Sequence, residues 1–90
     1  MDKTKLQPGT RIYYTGDMAN SEDHGVITKR YNDRWGDFVD ITLDDGREFR
    51  GVYVIAFEPG PGRRFMLEEE WQEQRNAAVN NFNQRYALQN

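Results

Sequence analysis

The sequence predicts a mainly β fold: a small barrel of about five strands followed by one C-terminal amphipathic helix. Three observations carry this. Asp37 to Val52 reads as a hairpin whose hydrophobic pattern fixes its register. Short apolar segments separated by glycine and proline turns flank it. From about Glu68 the pattern changes from alternation to steps of three and four.

Met1 to Gln7 reads as a polar tail and Pro8-Gly9 as a turn. Thr10 to Thr15 (TRIYYT) is the first strand, with Ile12 and Tyr14 on one face and Arg11 and Tyr13 on the other. Gly16 to His24 is a polar loop. Gly25 to Tyr31 (GVITKRY) is the second strand, where adjacent Val26 and Ile27 imply a bulge or burial on both sides. Asn32 to Gly36 is the loop tip after it.

The next two strands meet at Asp44-Asp45-Gly46. A two-residue Asp45-Gly46 turn would pair Leu43 with Glu48 and Thr42 with Phe49, mixing apolar and polar residues on each face. A type I turn with Gly46 in the left-handed bulge position pairs Leu43 with Arg47 and Ile41 with Phe49. Val39, Ile41 and Phe49 then share the core face. The other face pairs Thr42 with Glu48 and Asp40 with Arg50, the latter of opposite charge.

Val52 to Phe57 (VYVIAF) either prolongs the fourth strand or forms a 3₁₀ connector. Glu58 to Gly62 (EPGPG) breaks any strand. Arg63 to Leu67 is a short last strand. Glu68, Glu69, Glu70 and Glu73 suit the positive end of a helix dipole. Leu67, Trp71, Arg75, Ala78, Val79, Phe82 and Tyr86 form one stripe, with Gln and Asn on the opposite face. Asparagine lowers helix propensity, so this helix needs its stripe packed.

Ninety residues make one domain, residues 6–67 the barrel and 68–88 the helix. The chain is 37% hydrophobic and 13% aromatic, so Phe, Tyr and Trp must supply much of the core. A net charge of -3 argues against coating nucleic acid through bulk charge, though not against a local basic patch. Without cysteine there is no disulfide, thiolate metal site or cysteine nucleophile. MDKTKLQPG has no apolar core of a signal peptide, and no run approaches a membrane span. The expected location is cytoplasmic.

The stretch "PGTRIYYTGD … HGVITKRYNDRWGDFVDITLDDGREFRGV" resembles a small SH3-like barrel, and is similar to its Tudor and KOW variants. There, an opening strand follows a Pro-Gly turn, a glycine starts the second strand, and a D-G turn links the third and fourth. The likeness covers about Leu6 to Leu67. It implies a recognition module for a peptide, a modified side chain or nucleic acid rather than an enzyme, an inference by fold analogy.

Two surfaces are candidates. Lys29, Arg30, Tyr31, Arg34 and Trp35 interleave cations and aromatics, as base stacking with phosphate contacts requires, and Arg63-Arg64 would extend them. Alternatively, Trp35 is a lid on the barrel end and the charges are ordinary solvated positions. Tyr13, Tyr14, Tyr31, Trp35, Tyr53 and Phe57 would form an aromatic groove for a methylated cation or a proline-rich peptide, unless most of them are core. Asp17, Glu22, Asp23 and His24 match neither an EF-hand nor a zinc spacing and read as a solvated acidic loop. No metal or cofactor is expected.

Trp71, Val79, Phe82 and Tyr86 are the interface residues of the helix, packing on the barrel or pairing in a homodimer. No nucleophile, base or cofactor site can be named. The reading is a non-enzymatic module binding a protein partner through aromatic barrel-end or helix surfaces. DNA or RNA binding through residues 29–35 is the alternative.

Overall fold

The computed structural model describes the backbone of residues 2–88 and the side chains of residues 2–81. Five strands form one antiparallel sheet: β1 (Arg11–Tyr14), β2 (Asp23–Asp33), β3 (Gly36–Leu43), β4 (Glu48–Tyr53) and β5 (Phe65–Leu67), in the order β4-β3-β2-β1-β5. A 3₁₀ turn at Lys3–Lys5 precedes β1, a second at Val54–Phe57 joins β4 to β5, and helix α1 (Glu68–Leu88) follows β5 directly.

The hairpin register is the predicted one near the turn. Ile41 pairs with Phe49 and Thr42 with Glu48. Leu43 donates its N–H to the Arg47 carbonyl at 2.8 Å, and Gly46 takes the left-handed conformation at φ +98°. Farther along, the Asp40–Arg50 pair does not form. The register shifts between Val39 and Ile41, so Val39 pairs with Val52. Gly51, at φ +66°, makes the shift, and Arg50 turns to Glu48 at 3.4 Å. The irregularity in β2 falls after Ile27, at Thr28.

Ile12, Tyr14, Ile27, Val39, Ile41, Leu43, Val54, Phe57, Phe65 and Leu67 make the core. The barrel is not closed: β4 and β5, the two edges, are not hydrogen-bonded to each other. The 3₁₀ turn and the proline-glycine segment carry the chain across the open side from β4 to β5. Side chains fill the gap instead. Phe49 on β4 lies 5.0 Å from Tyr14 and 5.7 Å from Phe65, ring centre to ring centre.

The N-terminal segment is more than a polar tail. Asp2 caps the first 3₁₀ turn through the Thr4 N–H, and Leu6 is fully buried. The Arg30 guanidinium holds it there by donating to the Lys3 and Leu6 carbonyls at 2.9 and 2.8 Å.

Helix α1 forms where the charge pattern places it, but the described part of its stripe beyond Trp71 does not lie along the sheet. Its first turn is anchored: Glu68 to Arg11 (3.6 Å), Glu69 to Lys5 (2.5 Å), Glu70 to Arg63 (2.8 Å), with a Glu68 oxygen also 2.8 Å from His24 Nδ1. Trp71 is half-buried, and residues 72–81 are exposed throughout. With no linker after β5, the helix axis leaves the sheet at once, so among the described residues only this turn docks. Among the described residues, no helix is long and apolar enough to cross a membrane.

Candidate functional site

The β2–β3 turn is two residues, Arg34 and Trp35, between the paired Asp33 and Gly36. The Asp33 carboxylate accepts the Trp35 N–H at 2.6 Å and holds the turn. A tight turn cannot fold its own side chains inward, so Trp35 stands 69% exposed with the Arg34 guanidinium 4.9 Å above its ring.

Behind the tip, Tyr31, Phe38 and Tyr53 sit opposite one another on β2, β3 and β4, on the face away from Val39. Tyr31 and Phe38 stack at 5.6 Å, and Phe38 meets Tyr53 at 4.7 Å. The middle ring is therefore buried, while Tyr53 stays half exposed beneath Gly36. Tyr31 donates its hydroxyl to Asp40 at 3.1 Å, and desolvation together with this carboxylate holds its pKa above the usual phenol range. The Lys29 ammonium lies 5.0 Å over the Tyr31 ring.

The second 3₁₀ turn completes the surface. Three residues per turn put Val54 and Phe57 on the core side and leave Ile55 67% exposed. Trp35, Tyr53, Val54, Ile55, Gly36, Asp37 and Lys3 line a shallow depression of about 230 Å³. A larger groove of about 750 Å³ runs between the N-terminal segment and α1. Its polar groups already pair: Lys5 with Glu69, Arg11 with Asp44 at 2.7 Å, and the Thr10 hydroxyl with the Lys5 carbonyl at 2.8 Å.

The structure divides the predicted site residues. Lys29, Tyr31, Arg34 and Trp35 share the hairpin end with Tyr53. Arg30 leaves the patch, because its guanidinium is spent on carbonyls. Arg63 and Arg64 do not extend it: Arg63 binds Glu70 and the Phe57 carbonyl, and Arg64 binds Asp17. Tyr14 and Phe57 are core.

Tyr13 is not on an open face. It is only 8% exposed, between His24 at 5.1 Å and Trp71 at 5.0 Å, and its hydroxyl donates to Glu22. Burial first, then the Glu22 carboxylate, pushes its pKa up to about 12. Trp71 thus docks on its own sheet, with His24 edge-on at 4.6 Å. Val79 is 53% exposed; the Phe82 and Tyr86 side chains lie outside the described residues.

Of the acidic loop residues, Asp17 is satisfied by its neighbours, whereas the buried His24 Nδ1 makes no hydrogen bond among the described residues. Asp17 accepts from the Ala19 and Asn20 N–H groups and the Tyr14 hydroxyl, and these bonds lower its pKa. Among the described residues, no group of three or more His, Asp or Glu side chains is arranged to hold a metal ion. Ile55 is not marked as a surface residue by strand alternation. The only signal lay in reading VYVIAF as a 3₁₀ turn, whose period turns Ile55 outward. Comparison with protein-family models, curated proteins and solved structures gives no match.

Proposed function

We propose that this domain is a non-enzymatic interaction module that binds a protein partner through the hairpin end. One observation carries the reading: Trp35, Tyr53 and Ile55, three of the large exposed hydrophobic side chains, border one depression. Scattered exposed apolar residues are ordinary, whereas grouped ones mark contact surfaces. Trp and Tyr are also the side chains that most often carry binding energy at protein interfaces. The resemblance to SH3-like barrels of Tudor or KOW type supports the same reading, since a small mostly-β sheet with loop-borne aromatics suits recognition.

The test is partner retention by the immobilised domain carrying Trp35→Ala or Tyr53→Ala. Loss of retained protein in both, with unchanged circular dichroism, supports the hairpin end. Retention unaffected by either change, but abolished by Val79→Ala, would move the site to α1.

Nucleic-acid binding is the second reading, favoured by Lys29 and Arg34. Neither has a carboxylate within ion-pair distance among the described residues, and each lies over an aromatic ring. It predicts affinity for short single strands that falls steeply with salt.

A further inference from the structure

The carboxylates nearest the hairpin end are mostly engaged in holding the fold, and this leaves the cations beside them without carboxylate partners among the described residues. Asp33 accepts the Trp35 N–H. Asp40, opposite Lys29 in the β2–β3 register, accepts the Gly51 N–H at 2.9 Å and the Tyr31 hydroxyl. Glu58 pairs with Lys3 at 3.4 Å. Lys29 and Arg34 instead rest on aromatic faces. Elsewhere Lys5, Arg11, Arg47 and Arg63 all have carboxylate partners.

We propose that the hairpin end binds an acidic peptide segment, seating an apolar or aromatic side chain between Trp35, Tyr53 and Ile55 and separate carboxylates at Arg34 and at Lys29. This rests on the protein-binding reading above and adds the chemistry of the partner. Two cations already held on rings lose little freedom on meeting a carboxylate. Complementary charge at the rim of an apolar contact sets orientation and on-rate. The orientation follows from strand alternation. Lys29 shares the face of Tyr31, Phe38 and Tyr53, and Tyr53 lines the depression, whereas Asp37, which also lines it, projects to the opposite face. The acidic end of the peptide therefore lies on the Lys29 side. A nucleic-acid strand suits this surface less well. Two cations give only a short phosphate track, and Arg30 is withdrawn from it.

The experiment is selection of a random dodecapeptide display library on the purified full chain. Wild type, a Lys29→Glu/Arg34→Glu double variant and Trp35→Ala are run in parallel. Anisotropy of a labelled mixed-sequence single-stranded oligonucleotide is measured on the same three proteins. The expected wild-type pool is enriched in Asp or Glu beside Trp, Phe or Leu. A peptide synthesised from it should bind the charge-reversed protein about tenfold more weakly. A neutral or basic pool that survives charge reversal but not Trp35→Ala would overturn the acidic-peptide proposal and leave the protein-binding surface standing. No enrichment over Trp35→Ala would overturn both. If, in that case, the oligonucleotide binds and is released by salt, the surface belongs to nucleic acid.

Discussion

Asp40 on β3 accepts the N–H of Gly51 on β4 at 2.9 Å, at the point where the strand ladder slips by one residue. The side chain thus supplies an acceptor that the bulged backbone cannot. The same oxygen receives the Tyr31 hydroxyl from β2, so one carboxylate ties three strands together just behind the hairpin end. The bond also explains why the aromatic row is straight. Phe38 meets Tyr53 only because the shifted register brings them opposite each other.

Asp40→Ala should therefore cost about 0.5–1.5 kcal/mol, the net worth of ordinary hydrogen bonds, because water can reach the Gly51 N–H and the Tyr31 hydroxyl that it leaves behind. Urea denaturation measures the loss. A change below about 0.5 kcal/mol would mean that water replaces the carboxylate in full at this bulge.

Gly25→Ala should destabilise more than Gly46→Ala. Gly25 is paired on both sides, with Ile12 and with Leu43. A Cβ there would meet the Thr42 carbonyl oxygen at 2.8 Å and Leu43 Cδ2 at 2.9 Å. Backbone must move, at a cost of roughly 1–3 kcal/mol or more. At Gly46 the space is open and the left-handed φ of +98° is the sole obstacle, worth roughly 1–2 kcal/mol. The reverse order in urea midpoints would contradict the sheet geometry at Gly25.

Alkaline pH should weaken the fold through Tyr13. Its folded pKa of about 12 stands above the ordinary value of 10.0. Below pH 10 both states keep the proton, and the stabilisation is complete. Between about 10 and 12 the unfolded chain releases the proton while the folded one retains it, so stability falls as pH rises. Tyr14 and Tyr31 shift in the same direction, so the Tyr13 share is the difference between wild type and Tyr13→Phe. That difference should change across pH 10 to 12 in urea melts. A difference independent of pH would show that the hydroxyl is solvated in the folded protein.

The legible part of the fold was local. At the Asp44–Gly46 turn, residues in direct contact determine the register, and alternation places Ile41 and Phe49 correctly. The slip at Gly51 was not legible, because it depends on the Asp40 side chain of the neighbouring strand, itself held by Tyr31 from β2. Tyr13 shows the same limit. Alternation puts it opposite Ile12 and Tyr14, but cannot say that Trp71, far along the chain, will cover that second face. Arg30 resembled its neighbours Lys29 and Arg34 in sequence. Only the path of the N-terminal segment gave it two carbonyls to bind. The hairpin end was legible as a cluster of cations and aromatics, but the position of Ile55 required knowing where β4 ends.

The two tryptophans should respond oppositely to substitution, because one is fixed by the fold and the other stands outside it. Trp71 packs against Tyr13 and His24 and carries the Arg75 guanidinium 5.0 Å from its ring. Trp71→Ala should lose about 2 kcal/mol, less than the roughly 3–5 kcal/mol of a fully buried aromatic. It should also uncover Tyr13, whose alkaline titration would move back toward 10.0. Trp35→Ala should change stability by no more than about 0.5 kcal/mol, since its ring is 69% exposed. Single-tryptophan proteins make the contrast visible without unfolding. Acrylamide should quench Trp35 in the Trp71→Phe protein more strongly than Trp71 in the Trp35→Phe protein. Equal quenching, with Tyr13 titrating near 10.0 in wild type, would mean that the first turn of α1 does not dock on β1 and that Tyr13 faces solvent.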